Sequence, residues 1–489
     1  MLLALTVLTV GAQQRIPCVR NIPTDKAKTR GALGYPSTNW DSEIIYRQAV
    51  VLISFADMDF TMDDPVAYYN RVLNEQGYNE GSGLGCVADY YRDQSGGLFN
   101  LHFDIYGPFK VSENAKSSSN LNYGDNAMEE AMKQLKAATD EDFSVYDWDG
   151  DGKVDQMLFI AAGFTGNQKP GYIWPNTAYC SFKAPGNLYI EMASISCEMW
   201  KDGSLCGIGT ICHEFAHCIG LPDIYPTGGS AFSVVDEWDL MDGGNYTGKG
   251  WCTPNLSATE RMLFGWVMPT ELTEPTTITG MKPVSEGGET FIIRNSGNAN
   301  EYYILENRRR TKWDYGIPGE GLAIFYVDYD REMWSNNQVN SSDNHYHYDM
   351  FHADGKDYRT WDPSNKGEDM GKYTMDGWMR NCYLSTSVYP YTDLETQVVK
   401  ASLTNYSDPA AIVYHDNADG VKFMSKPITN IQIADDGTIS FDFMKDETAI
   451  RSLRSVEAPD VWYDLQGRRL EGRPQRHGLY IHNRKKVAL

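Results

Sequence analysis

The spacing of apolar positions changes along the chain, and each change marks a different kind of element. Tyr46 to Phe55 holds the unbroken run Ala49-Val50-Val51-Leu52-Ile53, which predicts a central strand. Ala127, Met128, Ala131, Met132, Leu135 and Ala138 then recur at helical spacing behind Asp125, a residue able to cap that helix. Met157 to Ala161 is apolar enough for a buried strand, and a helix is expected near Gly207 to Ile219. From Thr276 the pattern shortens to strand-sized pieces: Phe291-Ile292-Ile293, Tyr302 to Leu305, Leu322 to Val327 and Ile439 to Phe443. Glycine, proline and asparagine separate them, which predicts an antiparallel sandwich. The expected fold is an α/β (α+β) body closing near Pro269, a β-sandwich-like domain, and a short β C-terminal tail.

The stretch from His213 to Asp223 carries the most specific chemistry. On a helix His213 and His217 stand one turn apart on one face, so both imidazoles can reach a single ion. Glu214 sits beside that face, where it would take a proton from water activated by zinc rather than bind the metal. Gly220 tolerates the left-handed conformation that ends a helix, Pro222 stops the helix from resuming, and Asp223 is expected as third ligand. Shortly downstream, Glu237 to Tyr246 forms a glycine-bearing turn around Met241, resembling a Met-turn, in which methionine is an apolar floor under the ligands. Tyr246 is a weak candidate for approaching the oxyanion. The turn fits a metzincin-like catalytic domain, yet aspartate stands where the metzincin pattern has a third histidine.

Together with Leu256-Ser257-Ala258, Leu263 to Trp266, Tyr90 to Ser95, Phe99-Asn100, Gly107-Pro108, Tyr302 to Asn307, Gly316 to Asp328 and His352 to Gly355, these motifs resemble the immune inhibitor A-type secreted metalloproteases. The resemblance spans roughly residues 46 to 445, and its zinc segment is far more specific than its other pieces. It implies a secreted zinc-dependent endopeptidase acting on proteins or peptides, with calcium as a structural ion. The residues give calcium a separate motive. Asp147, Asp149, Asp151 and Asp155 occupy carboxylate positions of a calcium loop, with the Lys153 carbonyl as a further donor. Leu158 stands where such a loop ends in glutamate, so it is not a complete EF-hand.

Composition adds boundaries and exclusions. A net charge of −23 over 489 residues, without a basic patch interleaved with aromatics, argues against nucleic-acid binding. Leu2 to Val10 is too short to span a bilayer and ends in Val10-Gly11-Ala12, so residues 1–12 read as a signal peptide, though without a basic start. Residues 13–45 read as an N-terminal or propeptide segment, 46–270 as the catalytic domain, 271–445 as the β-rich domain and 446–458 as a linker. Residues 459–489 are similar to C-terminal secretion or anchoring tails of exported bacterial proteins, which allows attachment at the cell surface. From Arg451 onward nine Lys or Arg face four Asp or Glu, against the acidic trend of the remainder.

Nine cysteines leave an odd thiol, and export favours one or two disulfides. Cys18, ahead of the catalytic body, is a residue able to fill the open position of a zinc site and keep a zymogen silent. His345 and His347 form a His-x-His pair able to bind metal. The competing function is an exported adhesin or glycan-binding module on an inactive protease-like scaffold, against which stands the presence of every ligand and of Glu214.

Overall fold

The computed structural model describes residues 16–23, 33–34, 36–119, 121–228, 233–356 and 384–445, with short strands between 462 and 488. The expected signal peptide (residues 1–12), the expected linker (446–458) and Cys382 lie outside the described residues.

Six strands form the main sheet: β1 (Val19–Arg20), β2 (Ile45–Ser54), β3 (Asn100–Lys110), β4 (Val154–Phe164), β5 (Asn176–Tyr179) and β6 (Ile190–Met199), in the order β1-β5-β6-β4-β2-β3. Strands β3, β2, β4 and β6 run parallel, β5 turns antiparallel to β6, and β1 lies parallel along β5 at the edge. Parallel strands are covered on both faces, which explains why β2 reads as a continuous apolar run. Val50 and Leu52 enter one core, and Ala49, Val51 and Ile53 enter the other.

Helix α3 (Asp125–Ala138) covers the second face with Ala127, Met128, Ala131, Met132 and Leu135. Two details differ from the sequence reading. Gly124 at φ +75° occupies the cap, so Asp125 is the first helical residue and its carboxylate instead binds Arg20 at 2.7 Å. Ala138 lies at the exposed end of the helix.

The first face carries α1 (Pro65–Asn74), α2 (Val87–Gln94) and α4 (Gly209–Cys218). Every residue of α4 is buried. Tyr91 of α2 fixes it by packing edge-on against Phe215 at 5.1 Å and donating its hydroxyl to Cys212 O at 2.6 Å.

Behind these helices lies a five-stranded sheet of β7 (Thr270–Glu271), β9 (Phe291–Arg294), β10 (Glu301–Arg308), β11 (Gly321–Asp328) and β12 (Tyr348–Met350); β8 (Thr276–Met281) belongs to another sheet. Tyr302, Ile304, Ala323, Phe325 and Val327 face the core that contains α4. Tyr303, Leu305, Leu322 and Ile324 face a third core, closed by β8, β15 (Ile428–Ile433) and β16 (Ile439–Phe443); a hairpin of β13 (Tyr391–Thr392) and β14 (Val399–Lys400) precedes them. The β-rich segment is therefore continuous with the core behind α4. Trp462–Tyr463, Arg469–Leu470, Leu479–His482 and Lys485–Ala488 make a separate antiparallel sheet in the tail.

None of the eight described cysteines forms a disulfide. Cys86, Cys212 and Cys218 instead pack as small apolar side chains in the core.

Candidate metal centre

Helix α4 brings His213 and His217 to one face, and backbone carbonyls fix both rings. His213 Nδ1 donates to Leu240 O at 2.9 Å and His217 Nδ1 donates to Leu221 O at 2.7 Å. A carbonyl only accepts, so each ring carries its proton on Nδ1 and turns a lone pair on Nε2 inward. The two Nε2 atoms lie 3.1 Å apart, with Asp223 Oδ1 at 3.4 Å from one and 3.2 Å from the other. That oxygen is buried and accepts no hydrogen bond. Two inward lone pairs and an orphaned carboxylate oxygen repel one another unless a cation stands between them, so the donor set fits a zinc ion.

Asp223 is held by residues distant in sequence. Its Oδ2 accepts from Asn337 Nδ2 at 2.6 Å and from Cys18 N at 3.0 Å, while its own N–H donates to Asn337 Oδ1 at 2.6 Å. Gly220 makes the bend between helix and Asp223 at φ +114°; a Cβ there would lie 2.9 Å from Pro36 Cα, too close for any side chain.

Glu214 accepts from Thr177 Oγ1 of β5 at 2.8 Å and also meets the Cys18 side chain, which adjoins this trio. Burial pushes its carboxyl up to about 8, opposed by His213 and by the Thr177 hydrogen bond. The turn around Met241 is tied to both ligand segments. Leu240 holds His213, and Met241 O accepts from Ile224 N at 2.9 Å, next to Asp223. The Asp242 carboxylate keeps the turn closed by accepting from Val234, Val235 and Asp236 N–H groups at 2.9–3.0 Å. Met241 is fully buried in the same core. Tyr246 Oη accepts from Asn167 Nδ2 at 3.1 Å, and Trp200 packs edge-on against its ring at 5.9 Å.

The acidic loop is assembled only in part. Asp147, Asp149 and Asp151 bring carboxylate oxygens within 4.8 Å of one another. Asp155 turns instead to Trp148 N at 2.6 Å, and the Lys153 ammonium meets Asp151 at 2.5 Å and Glu191 at 2.7 Å. In the β-rich segment Asp328, His345 and His347 also converge within 4.8 Å. A cavity of 340 Å³ lined by Tyr326, His345, His352 and Tyr414 adjoins that second cluster and is lined by none of His213, His217 and Asp223.

Comparison with known proteins decides between chance and kinship for the first cluster. The family described as "Immune inhibitor A peptidase M6, catalytic domain" matches residues 198–264. Immune inhibitor A of Bacillus thuringiensis subsp. alesti is 25% identical over 253 residues, 41% of this chain and 36% of that protein. Pre-pro-metalloprotease PrtV of Vibrio cholerae serotype O1 (strain M66-2) is 21% identical over 255 residues, 44% of this chain and 27% of that protein.

Through residues 198–264 the chain is similar to the immune inhibitor A-type metalloproteases. It spans about a third of the first relative's length and about a quarter of the second's. The matched metalloprotease segment contains His213, Glu214, His217, Asp223, Met241 and Tyr246; Cys18, Thr177 and Asn337 lie outside it. Thr177 and Asn337 escaped the sequence reading because neither belongs to a spaced motif. Tyr225, two residues beyond the third expected ligand, was equally silent, and its hydroxyl lies 3.1 Å from Cys18 Sγ.

Proposed function

We propose that this chain is a secreted zinc-dependent endopeptidase hydrolysing peptide bonds of extracellular proteins, with His213, His217 and Asp223 as metal ligands and Glu214 as general base and acid. The observation that carries the reading is the inward-facing trio, whose only unmet requirement is a cation. When bound, zinc would activate a water molecule and polarise the scissile carbonyl. Glu214 would take the proton from the attacking water and pass it to the leaving amine, a role that suits a buried carboxyl raised into the neutral range. Thr177 would hold one carboxyl oxygen and leave the other for that transfer. Met241 serves as the floor of the centre, and a metzincin-like catalytic unit of residues 46–270 would lean on the β-rich segment, since Asn337 reaches back to Asp223.

Other parts of the reading rest on weaker supports. Export is supported by the apolar start of the chain and by its likeness to a relative named as a pre-pro-metalloprotease, and no helix among the described residues is long and apolar enough to cross a membrane. Residues 459–489 are assigned to secretion or surface attachment on their resemblance to the C-terminal tails of exported bacterial proteins. Calcium at Asp147, Asp149 and Asp151 is assigned a purely structural part.

Casein or gelatin cleavage by the full chain after limited proteolysis, with and without a chelator, tests the reading. Chelator-sensitive cleavage that disappears in Glu214→Ala is the expected result. Cleavage that survives that substitution removes Glu214 from its role, and the absence of any cleavage would leave the binding-module alternative standing.

A further inference from the structure

A catalytic zinc site keeps one coordination position open to substrate, whereas a closed site has four protein ligands. The site described above is closed to solvent. His213 and Glu214 are 1% exposed, and His217 and Asp223 are 0% exposed. What covers them is the chain's own N-terminal segment, and it brings a thiol. One ligand atom each from Cys18, His213, His217 and Asp223 lies within 4.8 Å of all the others.

We infer that Cys18 Sγ is the fourth zinc ligand, and that residues 16–20 fill the strand edge on which an extended peptide substrate would otherwise lie. The inference rests on the metal reading of His213, His217 and Asp223. Charge supports it first: a divalent cation facing two neutral imidazoles, one carboxylate and one thiolate is neutral overall, which a fully buried position favours. The fit of the backbone supports it next. Cys18 N donates to Asp223 Oδ2 at 3.0 Å, so the residue offering the thiol also orients the third ligand. Tyr225 Oη sits 3.1 Å from the same sulfur and 2.9 Å from Ile16 O, pinning the segment on its other side.

The segment is also held as a strand. Cys18 O accepts from Thr177 N at 2.9 Å, and Val19 and Arg20 pair in parallel with Thr177 and Ala178. Arg20 closes the far end, with Asn176 at 2.9 Å, Asp125 at 2.7 Å and the Tyr123 ring at 4.1 Å. Strand β5 therefore uses one edge for the core sheet and offers the other to this segment, while its Thr177 side chain holds Glu214. Without residues 16–20 that edge would present unpaired N–H and C=O groups directly beside the ligands, the arrangement that captures an extended peptide by strand addition. Removal of the segment would thus open the coordination position and the substrate edge together.

Cobalt(II) loaded into the full chain in place of zinc gives the test a spectroscopic readout. A near-ultraviolet sulfur-to-cobalt charge-transfer band is expected in the native chain, lost in Cys18→Ser and kept in Cys212→Ser. On the native chain itself, mass mapping after iodoacetamide should find Cys18 alkylated on the order of tenfold more slowly with metal than after chelation, because a ligated sulfur is a poor nucleophile. Cys18→Ser should also cleave casein without the limited proteolysis that the native chain requires. Cobalt bound through His213, His217 and Asp223 without the band, or a band that survives Cys18→Ser, overturns the inference and leaves the metalloprotease reading intact. Failure of the chain to bind cobalt or zinc at all overturns both.

Discussion

Around Asp223 and around Asp328 the chain gathers the same kinds of side chain, imidazoles against one carboxylate, but the bonding capacity is spent differently. At Asp328, Oδ2 is met by His345 Nε2 at 2.8 Å and by His415 Nε2 at 3.0 Å, and His347 Nδ1 donates to the backbone O of the same residue at 2.9 Å. The carboxylate is satisfied by hydrogen-bonded ion pairs, and no cation is required to explain it. At Asp223, carbonyls occupy the outer nitrogens, the inner lone pairs face one another, and one carboxylate oxygen is left without a donor. The difference teaches that histidine count is a poor sign of a metal centre; the direction in which the lone pairs are left is a better one.

The largest effect should come from removing a ligand. His217→Ala should lose the bound metal and bring casein cleavage to background, whereas His345→Ala should keep both, as elemental analysis and a fluorescent casein assay would show. The reverse pattern would invert the comparison. Glu214→Ala should keep the metal and lose roughly 10²–10⁴-fold in kcat, the usual range for a general base.

A smaller effect is expected at the support of the third ligand. Asn337→Ala leaves Asp223 Oδ2 with only the Cys18 N–H, so a buried acceptor loses a donor. The expected cost is about 1–3 kcal/mol of stability, with metal affinity weakened about 10–100-fold as for other outer-shell partners. Chelator competition and thermal unfolding measure the two. Unchanged metal affinity would show that Asp223 holds its position without help from the β-rich segment.

That prediction also marks how far the sequence could be read. Helix α4 and its bend are local: two histidines at helical spacing, a glycine that alone fits φ +114°, and a proline that follows are all neighbours in the chain. The central strands were legible for the same reason, since burial on both faces writes a continuous apolar run. Cys18 and Asn337 reach the centre from 205 and 114 residues away from Asp223, and no spacing rule links them. Asp125 was misread because a cap residue and a first-turn acid have the same composition. Here a glycine took the cap and freed the carboxylate for Arg20.

Acid should separate the clusters more gently. Burial would raise the pKa of Asp328, but the His345 hydrogen bond and the charges of His415 and His345 outweigh it, and the net shift is downward. A depressed carboxylate binds fewer protons folded than unfolded. Its stabilisation is therefore complete above the unfolded value of about 3.9 and is lost as pH falls through the folded value. Denaturant midpoints between about pH 3 and pH 6 should fall with acid in the native chain, and Asp328→Asn should flatten that limb. An unchanged slope would mean that the contacts of Asp328 with His345 and His415 contribute nothing measurable to stability.

The acidic loop offers the smallest effect and a third variant of the comparison, because its carboxylates have neither imidazoles nor a buried orphan oxygen to betray an ion. Backbone N–H groups already serve Asp147, at 2.8 Å from Gly150 and Gly152, and the Lys153 ammonium serves Asp151. Asp155 is the informative member. Burial pushes its carboxyl up to about 7, with Asp149, Glu191 and Asp147 adding to the rise against the Trp148 hydrogen bond. An acid raised in this way binds more protons folded than unfolded, so stability should fall as pH rises from about 4 to about 7. Calcium among these carboxylates would favour the ionised form and oppose that fall. Calcium, but not magnesium, should therefore raise Tm by roughly 1 °C near neutral pH or above, the shift expected for about 1 kcal/mol in a chain of this size, and by less in acid. Equal melting curves with and without calcium on both sides of that window would reduce the loop to a turn closed by its own backbone and by Lys153.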